Sequence, residues 1–591
     1  MEKRVLLAIF LTFVVLYAYQ ALFLPKGSSP GQPKASPQAQ QSQQAQQPTP
    51  PAAQTAATPE APPAPKGVAK VEPEQVQAAA PAPVVSEPAE RDIVVETSVV
   101  RGVFSNRGAR LKSWQLKKYT DEQGKPLDLV PQALGAEATR PFELRVDKEE
   151  LTPRLNDGLF AATGIGARVD ATKAPVTLEF DFADVAGLRV HKSFTITPGS
   201  YVMALTAEVS EAGRSFNPTI ELGPGLGDVT ETTARSSYMQ KAEGISFSEG
   251  KVRRMSAKEL ASQPSHEGVY RYIGVDDHYF LSVALPTRAA RAEYEPLVVP
   301  PRSQGGAALE LVSYGVRVSQ GATAVKFYLG PKDFDVLAGV DRELVRTINF
   351  GIFAFLAVPL LRALNGINAY VGNYGWSIII LTILINAAMF PLRHKSVVSM
   401  RKMQELQPEI KAIQDRYGKL KPTDPARQKM NQEVMDLYRQ RGVNPASGCI
   451  PMLLTMPILF AFYSLLSQAI DLRGAPFMLW IKDLSIRDPY YVTPLLMGAT
   501  MVWQQKITPT STDPAQQKMM MLMPLVFTFM FLWTPSGLAL YFFCSNLLGI
   551  AQQYVTNRII GPPVVRTVRA PAERKLKRAG GGKTESAASG N

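Results

Sequence analysis

Apolar residues are segregated into long runs at the start and in the last third of the chain, with an alternating, turn-punctuated pattern between them. Residues 5–24 form an apolar run interrupted only by Thr12 and Gln20. About 20 residues at about 1.5 Å each span a hydrocarbon core of about 30 Å. Lys3 and Arg4 precede this run, and no small-x-small cleavage pattern appears after it before Pro25. Residues 1–25 therefore read as a retained signal anchor whose start stays in the cytoplasm, so that the chain beyond Pro25 is exported. Residues 26–90, rich in Pro, Ala, Gln and Ser, bury too little apolar surface to offset the entropy of ordering and read as a flexible linker.

Residues 91–332 alternate with period two. Leu178, Phe180 and Phe182 line one face against Thr177, Glu179 and Asp181, as in a half-buried strand. Similar strands are predicted at 93–97, 100–104, 191–197, 201–209, 280–285 and 325–329, with a turn at Pro198-Gly199. Many short strands with turn signals between them predict a large all-β sandwich. In residues 333–351 the period changes: Val336, Leu337, Val340, Leu344, Val345 and Ile348 recur at helical spacing. This amphipathic helix either packs on the β domain or lies in the outer membrane interface.

Further apolar blocks come after it. Residues 352–392 hold an interfacial entry plus a span from about Tyr374 to Leu392; residues 449–470 and 490–502 give one span each. Residues 519–550 are too long for one span and break at Thr534-Pro535-Ser536-Gly537 into two. With the anchor, the prediction is an α-helical polytopic bundle of six spans, five of them forming a core over residues 352–556.

Charge places the ends. Residues 393–445 carry Arg393, Lys395, Arg401, Lys402, Lys411 and Arg416, and the tail 557–591 carries Arg558, Arg566, Arg569, Lys575 and Arg578, whereas 471–489 is balanced by Asp471, Arg473, Lys482 and Asp483. The positive-inside rule puts the first two regions in the cytoplasm and the balanced loop outside. Six spans starting inside also end inside. Within 393–445, Met400, Met403, Leu406, Ile410, Ile413 and Tyr417 mark one helix face, and Met430, Val434, Leu437 and Arg441 another. Asp424 and Pro425 start the second helix, so the region reads as a helical hairpin. Ribosomes and targeting factors are candidate contacts for it; a merely stabilising hairpin has the same pattern.

The net charge of +13 sits beside apolar spans instead of forming a basic patch, so no nucleic-acid specificity is expected. Cys449 and Cys544 lie in apolar runs, leaving the β domain without a disulfide. His191, His266, His278 and His394 lack metal-ligand spacing, and Asp276-Asp277-His278, whose side chains could hold a cation, reads rather as an exposed strand end. No nucleophile–base pair or phosphate loop is recognisable, so neither an enzyme nor a cofactor is expected.

Polar residues inside spans are costly unless they face protein or water. Thr382, Asn386 and Arg393 share one helix face, at steps of four and seven; Tyr541, Ser545 and Gln552 repeat these steps, with Phe542, Asn546 and Gln553 adjoining. Thr455 adds a polar group to another span, and Thr500 with Gln504 to a further one. Such stripes hold bundles together by hydrogen bonds or line a wet groove. No Asp or Glu lies in any predicted span, which argues against an ion-coupled solute transporter. An envelope scaffold using the β domain is the other alternative.

Several blocks carry a family likeness: Val371-Gly372-Asn373-Tyr374-Gly375-Trp376-Ser377, Gly442-Val443-Asn444-Pro445 through Gly448-Cys449-Ile450-Pro451, Met456-Pro457-Ile458, Trp480-Ile481-Lys482-Asp483-Leu484-Ser485, Asp488-Pro489-Tyr490-Tyr491 and Pro535-Ser536-Gly537-Leu538. In these, over nearly its whole length, the chain resembles the YidC family of membrane protein insertases, related to the Oxa and Alb proteins. The resemblance implies an insertase and folding factor of the bacterial inner membrane, with a periplasmic β-sandwich and a hydrophilic groove open to the cytoplasm. It further implies as partners nascent integral membrane proteins, the Sec translocase with its accessory subunits, and membrane lipids; the hairpin and basic tail are candidate ribosome contacts. The candidate groove residues are Thr382, Asn386, Arg393, Thr455, Gln504, Tyr541, Phe542, Ser545 and Gln552. Where the family typically places a groove arginine, this chain has Asn386, and where it often has a tyrosine, this chain has Phe542. Arg393, on the same face two turns towards the cytoplasm, is expected to supply the missing charge.

Overall fold

The computed structural model describes residues 84–132, 138–230, 234, 239–301, 307–318, 324–417, 426–443, 450–507 and 514–561. The predicted anchor, the linker up to residue 83, the Asp424-Pro425 helix start and the tail beyond residue 561 lie outside these residues.

The alternating pattern does form strands. In Val176–Ala183, Leu178 and Phe180 are buried while Thr177 and Glu179 face solvent, and in Leu188–Ile196 every second residue is buried. Among the described residues the largest sheet has nine strands. It runs Lys251–Met255, Glu243–Ser248, Tyr272–Asp276, Phe280–Leu285, Val325–Pro331, Val202–Glu211, Leu188–Ile196 and Val176–Ala183, with Arg214–Phe216 paired to Val202–Glu211. One five-stranded sheet orders Pro126–Asp128, Arg110–Thr120, Val100–Ser105, Asp92–Glu96 and Arg168–Asp170. Another orders Ser265–Val269, Ala289–Val299, Leu309–Val318, Thr219–Leu222 and Glu143–Arg145.

Aromatic side chains join the sheets. Phe194 packs against Phe104 at 5.0 Å and Phe142 at 5.4 Å between ring centroids, and Trp114 Nε1 donates to the Leu329 carbonyl at 2.9 Å. Lys192 occupies an inward position of its strand, fully buried, and donates to the carbonyls of Gly108 (2.5 Å) and Phe142 (2.8 Å), with Ala109 at 3.4 Å.

The stretch predicted as one amphipathic helix is two. Phe334–Val340 is α-helical, Asp341 turns extended, and Arg342–Thr347 is a 3-10 helix. The reason is local: the Asp341 carboxylate accepts from the Glu343 N–H and starts a new helix where the old one should have continued. Arg271 pairs with Asp341 at 2.6 Å and Arg254 donates to the Thr347 carbonyl at 2.7 Å, so this segment packs on the β domain.

Seven α-helices follow among the described residues: α1 (Ala354–Val371), α2 (Tyr374–Tyr417), α3 (Ala426–Gln440), α4 (Ile450–Gln468), α5 (Val492–Ile507), α6 (Pro514–Phe531) and α7 (Ser536–Ile560). By length and composition alone, Gly351–Val371 and α2 are long and apolar enough to cross a membrane, and Met521–Phe531 is a shorter apolar helix. Gly372, with φ at +68°, ends α1 in the left-handed conformation that glycine adopts without strain. Asn373 then donates to the Phe477 carbonyl at 3.0 Å.

The expected helix end near Leu392 does not exist. α2 continues for 44 residues, about 66 Å, through Pro391 and Pro408. The extension survives because α7 runs beside it: His394 meets Thr556 Oγ1 at 3.3 Å and Arg401 donates to the Gly561 carbonyl. α3 folds back on the extension, where Leu406, Ile410 and Val443 form a small core and Arg441 pairs with Glu409 at 2.9 Å.

Candidate functional site

The helices alternate in direction, and the β domain marks one end of the bundle. At the end of α4 the carbonyl of Ser467 accepts from His278 Nε2 at 2.8 Å, while His278 Nδ1 accepts from the Gln240 N–H at 3.2 Å. Both ring nitrogens are thus used by the neutral imidazole, and burial pushes its pKa down to about 3. Arg473 reaches Asp228 at 3.5 Å and lies over the Phe280 ring at 4.9 Å. Lys332 donates to Asp276 Oδ2 at 3.2 Å and to the Asp277 carbonyl. Burial, with Asp228 beside it, pushes the Asp277 carboxyl well above the usual range. The triplet Asp276-Asp277-His278 is therefore not an exposed strand end: its members are at most 3% exposed. Another region of the chain covers them, which a strand pattern does not encode. Among the described residues no cluster of His, Cys, Asp and Glu could hold a metal.

The opposite half of the bundle carries the polar stripes. Thr382 is fully buried and returns its hydroxyl to the Ile378 carbonyl at 2.6 Å. Asn386, 8% exposed, donates Nδ2 to the Thr382 carbonyl at 2.8 Å, and its Oδ1 accepts from Arg393 at 2.7 Å. The guanidinium is thereby folded back two turns along α2 towards the β-domain side. Tyr541 is buried, stacks on Phe462 of α4 at 4.5 Å, and lies within electrostatic range of Arg393. Farther from the β domain, Gln552 donates to the Phe390 carbonyl at 3.4 Å. One seam thus gathers Thr382, Asn386, Arg393, Tyr541 and Gln552 between α2 and α7.

The other candidates sit elsewhere. Phe542 turns to α6, its ring 4.8 Å from Phe531. Gln504 of α5 lies against Gly549, where an added Cβ would come 2.4 Å from its Nε2, so α5 and α7 touch closely there. Ser545 is half-buried on α7 and Thr455 half-buried on α4. His394 and Thr556 were not among the predicted groove residues, yet they extend the seam towards the far end. The clue was present: Thr556 lies four residues beyond Gln552, continuing the stripe of Ser545 and Gln552.

A β domain docked on one end of an apolar helical bundle, with a half-buried cation and polar seam towards the other end, defines an integral membrane protein with an extramembrane β domain. The family model described as YidC periplasmic domain matches residues 92–363, and that described as 60Kd inner membrane protein matches residues 366–562. The chain is 36% identical over 579 residues to a membrane protein insertase YidC of Geobacter metallireducens, covering 95% of this chain and 99% of that one. It is 37% identical to the YidC of Citrifermentans bemidjiense, over 95% of this chain and 100% of the other. A solved YidC insertase with its first transmembrane domain resolved is similar at a TM-score of 0.32 and 18% identity, over 80% of this chain and 94% of that one. The chain belongs to the YidC family of membrane protein insertases, inner-membrane proteins with a periplasmic domain and no catalytic chemistry.

Proposed function

We propose that this insertase receives nascent apolar segments from the cytoplasm at the seam between α2 and α7, hydrates their polar flanks there and releases them sideways into lipid. The observation that carries this reading is the Arg393 guanidinium, half-buried and held by Asn386 inside an apolar bundle. A charge in that position is costly unless it meets water or a substrate group. The energy comes from transferring about 20 apolar residues into lipid; the seam lowers the barrier for the polar flank.

The topology proposed with it has six spans and both termini in the cytoplasm. In its support, α2 starts at the β-domain end, α4 returns to it at Ser467, and α5, α6 and α7 continue the alternation. The far end carries Arg393, Lys395, Arg401 and Lys402, as the positive-inside rule asks of a cytoplasmic face. The anchor at residues 5–24 supplies the sixth span. Both ends of α1 lie on the β-domain side, so it adds none. Partners of the proposal are nascent membrane proteins, the Sec translocase, and the ribosome through the α2–α3 hairpin and basic tail.

Single replacements Arg393→Leu and Asn386→Leu in a strain depleted of its own insertase test the seam. Both are expected to reduce complementation, Arg393→Leu at least as much, since Asn386 positions what Arg393 supplies. Full complementation by Arg393→Leu alongside failure of Asn386→Leu would overturn the charge assignment.

A further inference from the structure

Residues 474–491, between α4 and α5, form a rigid loop that turns apolar side chains outward. The Phe477 N–H donates to the Ile481 carbonyl at 3.0 Å and the Leu484 N–H to the Ala475 carbonyl at 3.0 Å. Ser536 and Gly537, at the start of α7, donate to the carbonyls of Ile486 (2.7 Å) and Leu484 (2.9 Å). Asp488 accepts from Trp480 Nε1 at 3.0 Å and from the Thr493 N–H and hydroxyl at 2.8 Å each. With Ile481 and Leu484 buried inward, Met478 (45%), Leu479 (75%), Ile486 (49%) and Tyr490 (67%) are left exposed.

Leu479 has φ at +55°, a left-handed conformation that a leucine adopts at a cost. The backbone conformation presents the leucine side chain outward, and a leucine so exposed fits an apolar surrounding at that point, because in water its exposure is unfavourable. The loop stands where α2, α5 and α7 begin, and Trp376 and Trp533, each about half exposed, lie at the same level. Exposed aromatic residues at the ends of apolar helices mark a membrane–water boundary. Arg473 ties the loop to Asp228 of the β domain, which fixes the boundary as the periplasmic one. Lys482 and Arg487 are exposed on the same loop and complement lipid phosphates.

We infer that Met478, Leu479, Ile486 and Tyr490 form a wedge seated in the periplasmic leaflet, with Lys482 and Arg487 at its phosphate layer. The inference rests on the membrane placement of α2, α5 and α7 and not on the seam, so Arg393→Leu leaves it untouched. The test uses the full chain with Cys449 and Cys544 replaced by serine, reconstituted in vesicles of phosphatidylethanolamine and phosphatidylglycerol. Leu479→Cys, and separately Ile486→Cys should the first fail to fold, carries an environment-sensitive dye; Val185→Cys, 81% exposed on the β domain, is the aqueous reference. Dye at 479 or 486 should be quenched by lipids labelled near the headgroup and shielded several-fold from iodide relative to position 185. Iodide quenching equal to that at 185 overturns the proposal. So does shielding from both quenchers, which would mean that protein, a second copy included, covers the loop.

Discussion

Buried polar groups are used in opposite ways in the β domain and in the helical bundle. In the β domain they bind across long separations and at short distance. Lys192 ties together carbonyls 50 and 84 residues away, and Trp114 reaches one 215 residues away. In the bundle they bond inside their own helix: Thr382 to Ile378, Asn386 to Thr382, Thr500 to Met497 and Thr528 to Pro524, all within four residues. Along the seam and between α5 and α7 the side-chain bonds from helix to helix are long, at 3.3 Å for His394 to Thr556, 3.4 Å for Gln552 to Phe390 and 3.5 Å for Asn546 to Met497. The β-domain end, around Asp488 and Ser536, is tied as tightly as the β domain, and beyond the seam Arg401 with the Gly561 carbonyl and Arg441 with Glu409 tie the far extension of α2. A helix whose polar groups are satisfied internally can move from its neighbour without orphaning them. The β domain is built to keep one shape, whereas the α2–α7 seam has the weaker ties that the function proposed above asks of a place where a substrate enters.

The largest effect expected from breaking that contrast is in the β domain. Lys192→Met orphans carbonyls of Gly108, Ala109 and Phe142, and at roughly 1–3 kcal/mol per buried group the domain loses about 3 kcal/mol or more. Burial pushes the Lys192 ammonium down to about 7, against the pull of Glu143. An unfolded lysine titrates near ~10.4. Between pH about 7 and 10 the unfolded chain therefore binds more protons, and β-domain stability rises with pH. Urea melts of the sheet signal in detergent should show that rise in the parent and lose it in Lys192→Met; parallel profiles would refute the assignment.

Next in size is Asp488→Ala, which removes the acceptor of Trp480, Tyr490 and Thr493 and should cost about 2–3 kcal/mol. Faster hydrogen exchange confined to residues 480–493 is the expected readout. Burial raises the Asp488 carboxyl, but its donors outweigh burial and hold it below the usual range. The folded value lying below the unfolded one, this contribution is present above about pH 4 and is lost on acidification. Exchange in the parent that ignores acid would sever the loop's rigidity from Asp488.

The strands were the most legible part of the sequence. The strand predicted at 280–285 has the bounds it was given, and within the strand predicted at 191–197 the phase of Phe194 and Ile196 puts Lys192 on the inward side, where it lies. Periodicity is a property of one segment, however, and reports nothing of what covers it. Asp276-Asp277-His278 looked exposed because its cover is the end of α4, some 190 residues on. The helix break at Asp341 and the unbroken α2 failed for related reasons: a cap competes with propagation in one case, and a neighbouring helix overrides a charged start in the other. Within the seam, spacing put Arg393 and Asn386 on one face, and they bond there. Spacing on a single helix did not tell which neighbour Phe542, Gln504 or Thr455 would meet.

The smallest expected effect is the one that decides the contrast. Asn546 Nδ2 lies 3.5 Å from both the Met497 carbonyl and Thr500 Oγ1, and the Thr500 hydroxyl is already committed to Met497 at 2.7 Å. Contacts at that distance contribute little, and measured interhelical hydrogen bonds in membranes average only about 0.6 kcal/mol. Asn546→Leu preserves approximate volume, removes the amide and leaves α5 packed against α7 by shape. The loss in stability of the helical signal should stay below about 0.5 kcal/mol. A loss beyond about 2 kcal/mol would mean that these long bonds hold the helices together. The bundle would then be cross-linked like the β domain, and parting α7 from its neighbours for a substrate would carry a cost that the transfer of an apolar segment into lipid would have to cover at every insertion.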